Sequence, residues 1–251
     1  MALHRLLILP AALLAVTVAA AGAEPIPQAR KYESRHFSMQ CEGREDPALV
    51  WALLERLETA YRDVGRQLGV SPEGKVPVML YTEGEFPAHA SVPHWAQGLF
   101  DGQIRLAVSW AGLREESLDR TLRHEYTHAL VHARTGGNVP AWFSEGLAIA
   151  SEGRDTERER EIVSRAGRLM PLENLHESFL TLHRTQLPLA YAESEAAVRY
   201  LQTRYGAQAV RALLTRVRTE KDFAAVLRDV TGATYAEFQA AWLRSIMEAS
   251  G

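Results

Sequence analysis

The segment His124-Glu125-Tyr126-Thr127-His128 constrains this chain more than any other part of its sequence. Two histidines four residues apart lie on the same face of an α-helix, about one turn from each other. Both imidazoles then reach a single metal ion at roughly 2.0–2.1 Å, the usual Zn–N bond length. Glu125 lies beside the pair on the same helix and is too close in sequence to turn back as a third ligand. The segment therefore predicts a zinc-binding helix whose carboxylate is placed to take a proton from a metal-bound water.

Glu145 is the predicted third ligand. A catalytic zinc site needs three protein ligands and one open position. Sixteen residues separate Glu145 from His128, which is enough chain to leave one helix, turn and start another. Gly136-Gly137-Asn138 is expected to break the first helix, and Pro140 suits the first turn of the next one. We therefore predict one Zn²⁺ per chain, bound by His124, His128 and Glu145.

His132 continues the same four-residue spacing and is a rival ligand. At 1.5 Å per residue, His124 and His132 are about 12 Å apart along the helix axis, so one metal ion does not easily hold both. The longer metalloprotease motif also requires Gly and His three and six residues after the second histidine, where this chain has Val131 and Arg134. A glutamate is therefore favoured as third ligand, and His132 is expected either to support a metal ligand by hydrogen bonding or simply to pack nearby.

Two stretches around these residues, 122–130 and 139–148, resemble the gluzincin metallopeptidases, specifically the small bacterial peptidase MA-like group. Residues 98–102, 104–106, 190–194 and 199–201 are similar to other parts of that family. The resemblance implies a zinc ion and peptide-bond hydrolysis on a peptide or protein substrate. Many gluzincins carry an acidic residue four positions after the glutamate ligand, where it orients a zinc histidine. This chain has Ile149 there, so the motif assigns no such partner.

The order of the predicted elements indicates an α+β fold class, and the resemblance to gluzincins implies that this fold is zincin-like. A small mixed or antiparallel sheet and the active-site helix would form the amino-terminal half, followed by a helical carboxy-terminal half. Alternating apolar residues predict strands at 36–41, 76–81 and 103–109, and cap signals predict a helix from Asp46 or Pro47 to about Gly69. Later helices are expected at about 190–204, 207–217, 220–230 and 235–248. We predict a catalytic subdomain over 32–151 and a helical subdomain over 152–251.

Three further expectations concern the substrate-binding strand, a charged segment and the connection between the two halves. In gluzincins the strand before the active helix pairs with the substrate backbone, so residues 103–109 are predicted to receive a peptide by strand addition. The alternative is an interior strand whose edges are both covered. The charged run 152–161 is expected to be a solvated helix face or loop, and residues 171–188 are expected to cross the cleft.

Tyr191 is the predicted donor to the oxyanion of the reaction. Gluzincins recruit a Tyr or His from a downstream element for this role, and Tyr191 opens the helix that follows residues 171–188. His176 and His183 are weaker alternatives, and Tyr191 is equally compatible with simple packing. With Glu125 as general base, the predicted function is an exported zinc metallopeptidase that acts through a zinc-activated water. The alternatives are an exported zinc-binding interaction module with little or no catalysis, and a zinc hydrolase of a non-peptide substrate.

Residues 1–23 are typical of a secretory signal peptide. His4 and Arg5 precede an apolar run over 6–20, and Ala21-Gly22-Ala23 fits a small-residue cleavage site. Residues 24–31 are expected to be a linker. The predicted location is bacterial, periplasmic or extracellular, with no stable membrane span after signal removal. The sequence makes no prediction of oligomeric state.

Composition narrows the possible partners. The formal net charge of −3 argues against nucleic-acid binding, which usually needs a basic face. Cys41 is the single cysteine, so no internal disulfide forms, and a buried inert thiol is expected.

Overall fold

All the strands of the described residues lie in the first half of the chain, and the described part of the second half contains helices without strands. The computed structural model describes residues 30–41, 45–81, 98–109, 112–114 and 116–249. The strands are β1 (Arg30–Glu33), β2 (Phe37–Cys41), β3 (Val76–Tyr81), β4 (Gly98–Phe100) and β5 (Ile104–Ala107). The predicted signal peptide, residues 1–23, lies outside the described residues.

Eight α-helices occur within these ranges. They are α1 (Pro47–Leu68), α2 (Glu116–Thr135), α3 (Ala141–Ser151), α4 (Glu157–Arg165), α5 (Leu187–Tyr205), α6 (Ala207–Glu220), α7 (Phe223–Thr231) and α8 (Tyr235–Ala249). Short 3-10 helices lie at Gly112–Arg114, Leu172–Leu175 and Phe179–Thr181. The predicted α+β, zincin-like fold is confirmed. No helix in the described ranges has the length and apolar character needed to cross a membrane.

Helix α1 shows how local sequence signals set an element. The Asp46 side chain accepts a hydrogen bond from the Ala48 N–H at 2.8 Å, and Pro47 occupies the first turn. Gly69 ends the helix in the left-handed conformation at φ 67°, which costs glycine little. The start and the end predicted from the sequence are both confirmed.

The strand order in the sheet is β1-β2-β3-β5-β4. The central pairs, β2 with β3 and β3 with β5, are parallel, whereas β1 with β2 and β4 with β5 are antiparallel. Strand β5 is therefore interior, and the prediction that a peptide pairs with residues 103–109 is wrong. A tight turn with Gly102 at φ 106° folds β4 back along β5 and covers its edge. The outer strand on this side of the described sheet is β4.

The core is continuous from the sheet to the last helix. Its largest fully buried side chains include Phe37, Tyr126, Phe143, Trp142 and Trp242, which lie on β2, α2, α3 and α8. Cys41 is also buried as a free thiol, as predicted, and burial followed by the charge of Glu45 raises its pKa to about 12. A thiol with that pKa is not a nucleophile at neutral pH.

Candidate metal centre and active site

Three predicted ligand residues come together where α2 meets α3. The Nε2 atoms of His124 and His128 lie 3.1 Å apart, and each is 3.5 Å from Oε2 of Glu145. These three atoms all lie within 4.8 Å of one another, and the three side chains are partly buried. The structure thus assembles a possible metal-binding group from one helix and the start of the next.

A sharp reversal between α2 and α3 makes this geometry possible. Gly136 and Gly137 follow α2 with φ angles of 66° and 79°, which L side chains rarely adopt. The Gly136 N–H donates to the His132 carbonyl at 2.7 Å and closes the last turn of α2. Pro140 then caps α3 in extended conformation, so the break predicted over residues 136–138 is confirmed.

The outer ring nitrogens of both histidines have partners that orient the rings. His128 Nδ1 lies 2.9 Å from Oγ of Ser144, and His124 Nδ1 lies 3.0 Å from Oε1 of Glu152. Burial raises the pKa of Glu152, but hydrogen bonding to His124 and Arg154 lowers it further, so the net shift is downward. An ionised carboxylate only accepts hydrogen bonds, so His124 Nδ1 must donate to Glu152. Burial lowers the pKa of His124, but hydrogen bonds to Glu145 and Glu152 outweigh it and raise the pKa to about 10, so a metal ion would have to displace the proton on Nε2 to bind there.

Glu145 supplies the negative charge of the group. Burial raises its pKa, but His128 and His124 outweigh this effect, and the carboxyl is ionised well below its usual range. Its Oε2 is buried and has no hydrogen-bond partner among the described residues. A buried carboxylate oxygen that faces two imidazole nitrogens is what a divalent cation would satisfy, and a His₂Glu set suits zinc. The residues therefore fit a zinc ion.

Glu125 lies beside this group in the same helix and contacts the edge of the sheet. A Cβ atom on Gly98 of β4 would lie 2.7 Å from Cγ of Glu125 and 2.9 Å from Cγ2 of Thr121, so only glycine permits this approach. Burial raises the pKa of Glu125, and the charges of His124 and His128 oppose that shift without reversing it. A carboxylate with a raised pKa is suited to exchange a proton near neutral pH.

Tyr191 approaches the centre from α5. Its ring packs edge-on against Phe179 at 5.3 Å between centroids. Burial raises its pKa, and the negative charges of Glu145 and Glu125 raise it further. The hydroxyl group therefore stays protonated at neutral pH.

The other candidate histidines, His132 as a ligand and His176 and His183 as oxyanion donors, contact residues outside the metal-binding group. His176 Nε2 lies 2.7 Å from the Tyr235 hydroxyl, and His183 Nδ1 lies 2.9 Å from Oγ1 of Thr185. His132 is exposed and packs near the ring of Phe100 at 5.5 Å. Among the described residues, none of these three histidines joins the metal-binding group.

The charged run 152–161 contains residues that the sequence prediction missed. The expectation of a solvated segment is wrong for Glu159, which is buried, and for Glu152 and Arg154, which are partly buried. The guanidinium group of Arg154 lies between the two carboxylates and pairs with the charge of each. Ser144 was also missed as a partner of His128. The adjacency of Ser144 to Glu145 is a signal that sequence reasoning could have used, whereas nothing local connects Glu152 with His124.

Comparison with known families agrees with this geometry. Residues 63–248 match the sequence profile of the peptidase MA superfamily, which is most of the chain. A comparison with curated proteins found no match. The chain therefore belongs to the peptidase MA superfamily, and the resemblance to gluzincin metallopeptidases noted in residues 122–130 and 139–148 is confirmed. Membership supports a hydrolase of the peptidase type that acts on peptides.

Proposed function

We propose that this member of the peptidase MA superfamily is an exported, zinc-dependent metallopeptidase that cleaves peptide bonds with Glu125 as general base. The observation that carries this proposal is the meeting of His124 Nε2, His128 Nε2 and Glu145 Oε2 within 4.8 Å of one another. A second carboxylate, Glu125, lies buried beside them and is not part of the group. That division between ligands and a spare base is what metal-assisted hydrolysis needs.

His124, His128 and Glu145 would hold the zinc ion. When bound, zinc lowers the pKa of a coordinated water to about 7 and polarises a carbonyl group. Glu152 and Ser144 keep the two imidazoles turned inward, because each engages the outer nitrogen of one ring.

Glu125 would carry the proton transfers. As a carboxylate it accepts a proton from the attacking water, and as a carboxylic acid it returns that proton to the leaving amine. Its raised pKa favours both halves of this exchange, since a strongly acidic carboxyl holds a proton too briefly to deliver it. Gly98 restrains the side chain from one face and limits the positions that it can adopt.

Tyr191 would stabilise the developing oxyanion. Burial and the negative charges of Glu145 and Glu125 raise its pKa, so the hydroxyl keeps its proton and remains a hydrogen-bond donor. In comparable sites a single such donor contributes roughly 3–4 kcal/mol to transition-state stabilisation.

Strand β4 is the surface on which we propose that a peptide binds. One side of β4 pairs with β5, and no strand among the described residues pairs with the other side. A peptide added there by main-chain hydrogen bonds would run past Gly98 and therefore past Glu125. This proposal replaces residues 103–109 by 98–100 as the docking strand.

Export and subdomain division are further parts of the proposal. Export rests on the signal-like pattern of residues 1–23, and sequencing the amino terminus of the native protein would test it. The division assigns the three ligands and Glu125 to residues 32–151 and Tyr191 to residues 152–251. The active site would then lie between the two parts.

Metal analysis combined with a cleavage assay tests the function. We expect one zinc per chain in the purified protein, cleavage of a mixed peptide library, loss of cleavage after chelation, and recovery when zinc is returned. Glu145→Ala should lose the metal, whereas Glu177→Ala, a change at an exposed site, should keep it. A folded wild-type protein without metal would contradict the proposal. Zinc without any cleavage would instead support an interaction module or a hydrolase of another substrate.

A further inference from the structure

We propose that Glu152, fixed by Arg154 and Glu159, is the residue that positions His124 for metal binding, in place of the acid that the family motif carries at position 149. This inference rests on the proposed zinc site and assigns a role to three residues that the motif does not include. Position 149 holds a buried isoleucine, which is 4% exposed and offers no hydrogen-bond acceptor in its side chain. The outer nitrogen of His124 therefore takes its partner from another residue.

The antiparallel course of α2 and α3 explains why residue 152 fills this role. His128 contacts Ser144 near the start of α3, whereas His124, one turn earlier in α2, contacts Glu152 just after the end of α3. Glu152 is seven positions after Glu145, so both project from nearly the same face of the helix, about two turns apart. Glu152 thus reaches the histidine that is farther from Ser144.

The chain holds Glu152 in place by ending α3 at this residue. Its N–H donates to the Ile149 carbonyl at 3.1 Å, and Gly153 follows in the left-handed region at φ 74°. A Cβ atom on Gly153 would lie 2.9 Å from an Arg123 guanidinium nitrogen, so a larger residue would also displace the end of that side chain. This turn directs the Glu152 side chain back towards α2.

Both carboxylate oxygens of Glu152 are engaged by different partners. Oε1 lies 3.0 Å from His124 Nδ1, and Oε2 accepts from Arg154 Nε at 2.5 Å. Arg154 in turn donates from both terminal nitrogens to Glu159, at 2.9 and 2.8 Å. Glu159 is 8% exposed, so the far end of the chain of contacts is anchored in α4. A carboxylate held at both oxygens has one orientation to offer the imidazole.

This arrangement has a specific consequence for the metal. A fixed acceptor at Nδ1 sets the tautomer and the ring orientation of His124 and increases the electron density at Nε2. Loss of such a partner typically weakens metal affinity by about 10–100-fold. Glu152 is therefore a positioning residue, whose removal should change zinc affinity before it changes folding.

Zinc dissociation constants of full-length variants, measured by competition with a chromophoric chelator, test the assignment. We expect Glu152→Ala to bind zinc about 10–100-fold more weakly, and Glu152→Gln to lose less, because its amide oxygen still accepts a hydrogen bond. The visible d–d spectrum of the cobalt-substituted protein should also change. At saturating zinc, kcat of the Glu152 variants should fall, and the change in KM should be smaller. Glu161→Gln, which removes an exposed charge from the same segment, should match the wild type in each measurement.

The outcomes separate this inference from the proposed function. One outcome would overturn the role of Glu152 alone. The wild-type protein would bind zinc and cleave peptides, and both Glu152 variants would have the same zinc affinity and the same cobalt spectrum as the wild type. If Glu152→Ala fails to fold, Glu152→Met, which keeps the length of the side chain but offers no oxygen acceptor, decides, and an affinity within about twofold of wild type would overturn the inference. A folded wild-type protein that binds no zinc would overturn both.

Discussion

Gly146 of α3 lies directly against the main-chain carbonyl of Ser194 in α5, with no room for a side chain between them. A Cβ atom on Gly146 would overlap that oxygen and lie 2.6 Å from Cγ2 of Val198. Gly146 follows Glu145, and Ser194 lies about one turn after Tyr191 on the same helix. This contact therefore sets the distance between the proposed ligand and the proposed oxyanion donor.

Gly146→Ala should destabilise the protein by about 1–3 kcal/mol, because the clash is with main-chain atoms that cannot rotate away. This cost should exceed the gain of roughly 1 kcal/mol that alanine brings to a helix interior. Urea unfolding provides the measurement. Gly167→Ala is the control, since no heavy atom lies within 4 Å of its Cβ position. Equal stability of the two variants would mean that α3 and α5 separate at little cost.

Gly98→Ala should lower peptidase activity while leaving zinc content unchanged. The new methyl group would displace Glu125, whose Cγ atom is 2.7 Å from the Cβ position, but Glu125 is not among the proposed ligands. Turnover and zinc content, measured on the same preparation, test the lower activity and the unchanged metal binding. Gly112→Ala, with its nearest contact at an ordinary 3.6 Å, should behave as wild type. Wild-type turnover of Gly98→Ala would show that β4 does not restrain Glu125.

Tyr191→Phe should lower kcat with only a modest change in KM, because the lost hydrogen bond would be made mainly in the transition state. The expected loss corresponds to roughly 3–4 kcal/mol at most. Steady-state kinetics on a peptide identified from the library supply the test. Tyr200→Phe, on the same helix but packed against Phe238, is the control. An unchanged kcat for Tyr191→Phe would assign Tyr191 to packing.

Glu193 should make the protein less stable as pH rises towards neutrality. It is fully buried, with Oε1 accepting from the Met170 N–H at 2.8 Å and Oε2 without a partner among the described residues. Burial raises its pKa to about 7, above the value in the unfolded chain. The folded state therefore holds this proton more tightly, so the stabilisation is complete below the unfolded pKa and is lost as pH rises through about 7.

Glu193→Gln keeps an acceptor for Met170 but cannot ionise. The loss of unfolding free energy between about pH 5 and about pH 8 should be smaller in this variant, by at most about 3 kcal/mol. Urea unfolding at the two pH values measures that difference. Comparing the wild type with the variant cancels the contributions of the titratable groups that both proteins share. Identical pH dependence in the two proteins would contradict a raised pKa at Glu193.

Local sequence signals predicted the elements that local physics determines. The caps Asp46 and Gly69 enclose a helix with a regular apolar face, and a pair of histidines four apart can meet on one helix face. Gly136 and Gly137, which follow α2, also predicted the reversal of the chain that brings Glu145 to the two histidines. Each of these predictions depends on residues within a few turns of one another.

What escaped prediction depends on contacts between distant segments. Strand β4 has three residues, too few for an alternating pattern, and it forms by pairing with β5 and packing on α2. Glu152 meets His124 across 28 positions of sequence, after one helix reversal and a glycine turn at Gly153. Its charged neighbours indicate a solvated segment by composition, and only the ion pairs in the folded state explain the burial of Glu159.

The most direct test of the central claim compares the wild type with Glu125→Gln at equal zinc content. Glutamine preserves the shape of residue 125 but cannot act as a base, and residue 125 is outside the proposed ligand set. We predict one zinc per chain in both proteins, cleavage of a peptide library by the wild type, and no cleavage above background by the variant. Wild-type turnover by zinc-loaded Glu125→Gln would contradict the account.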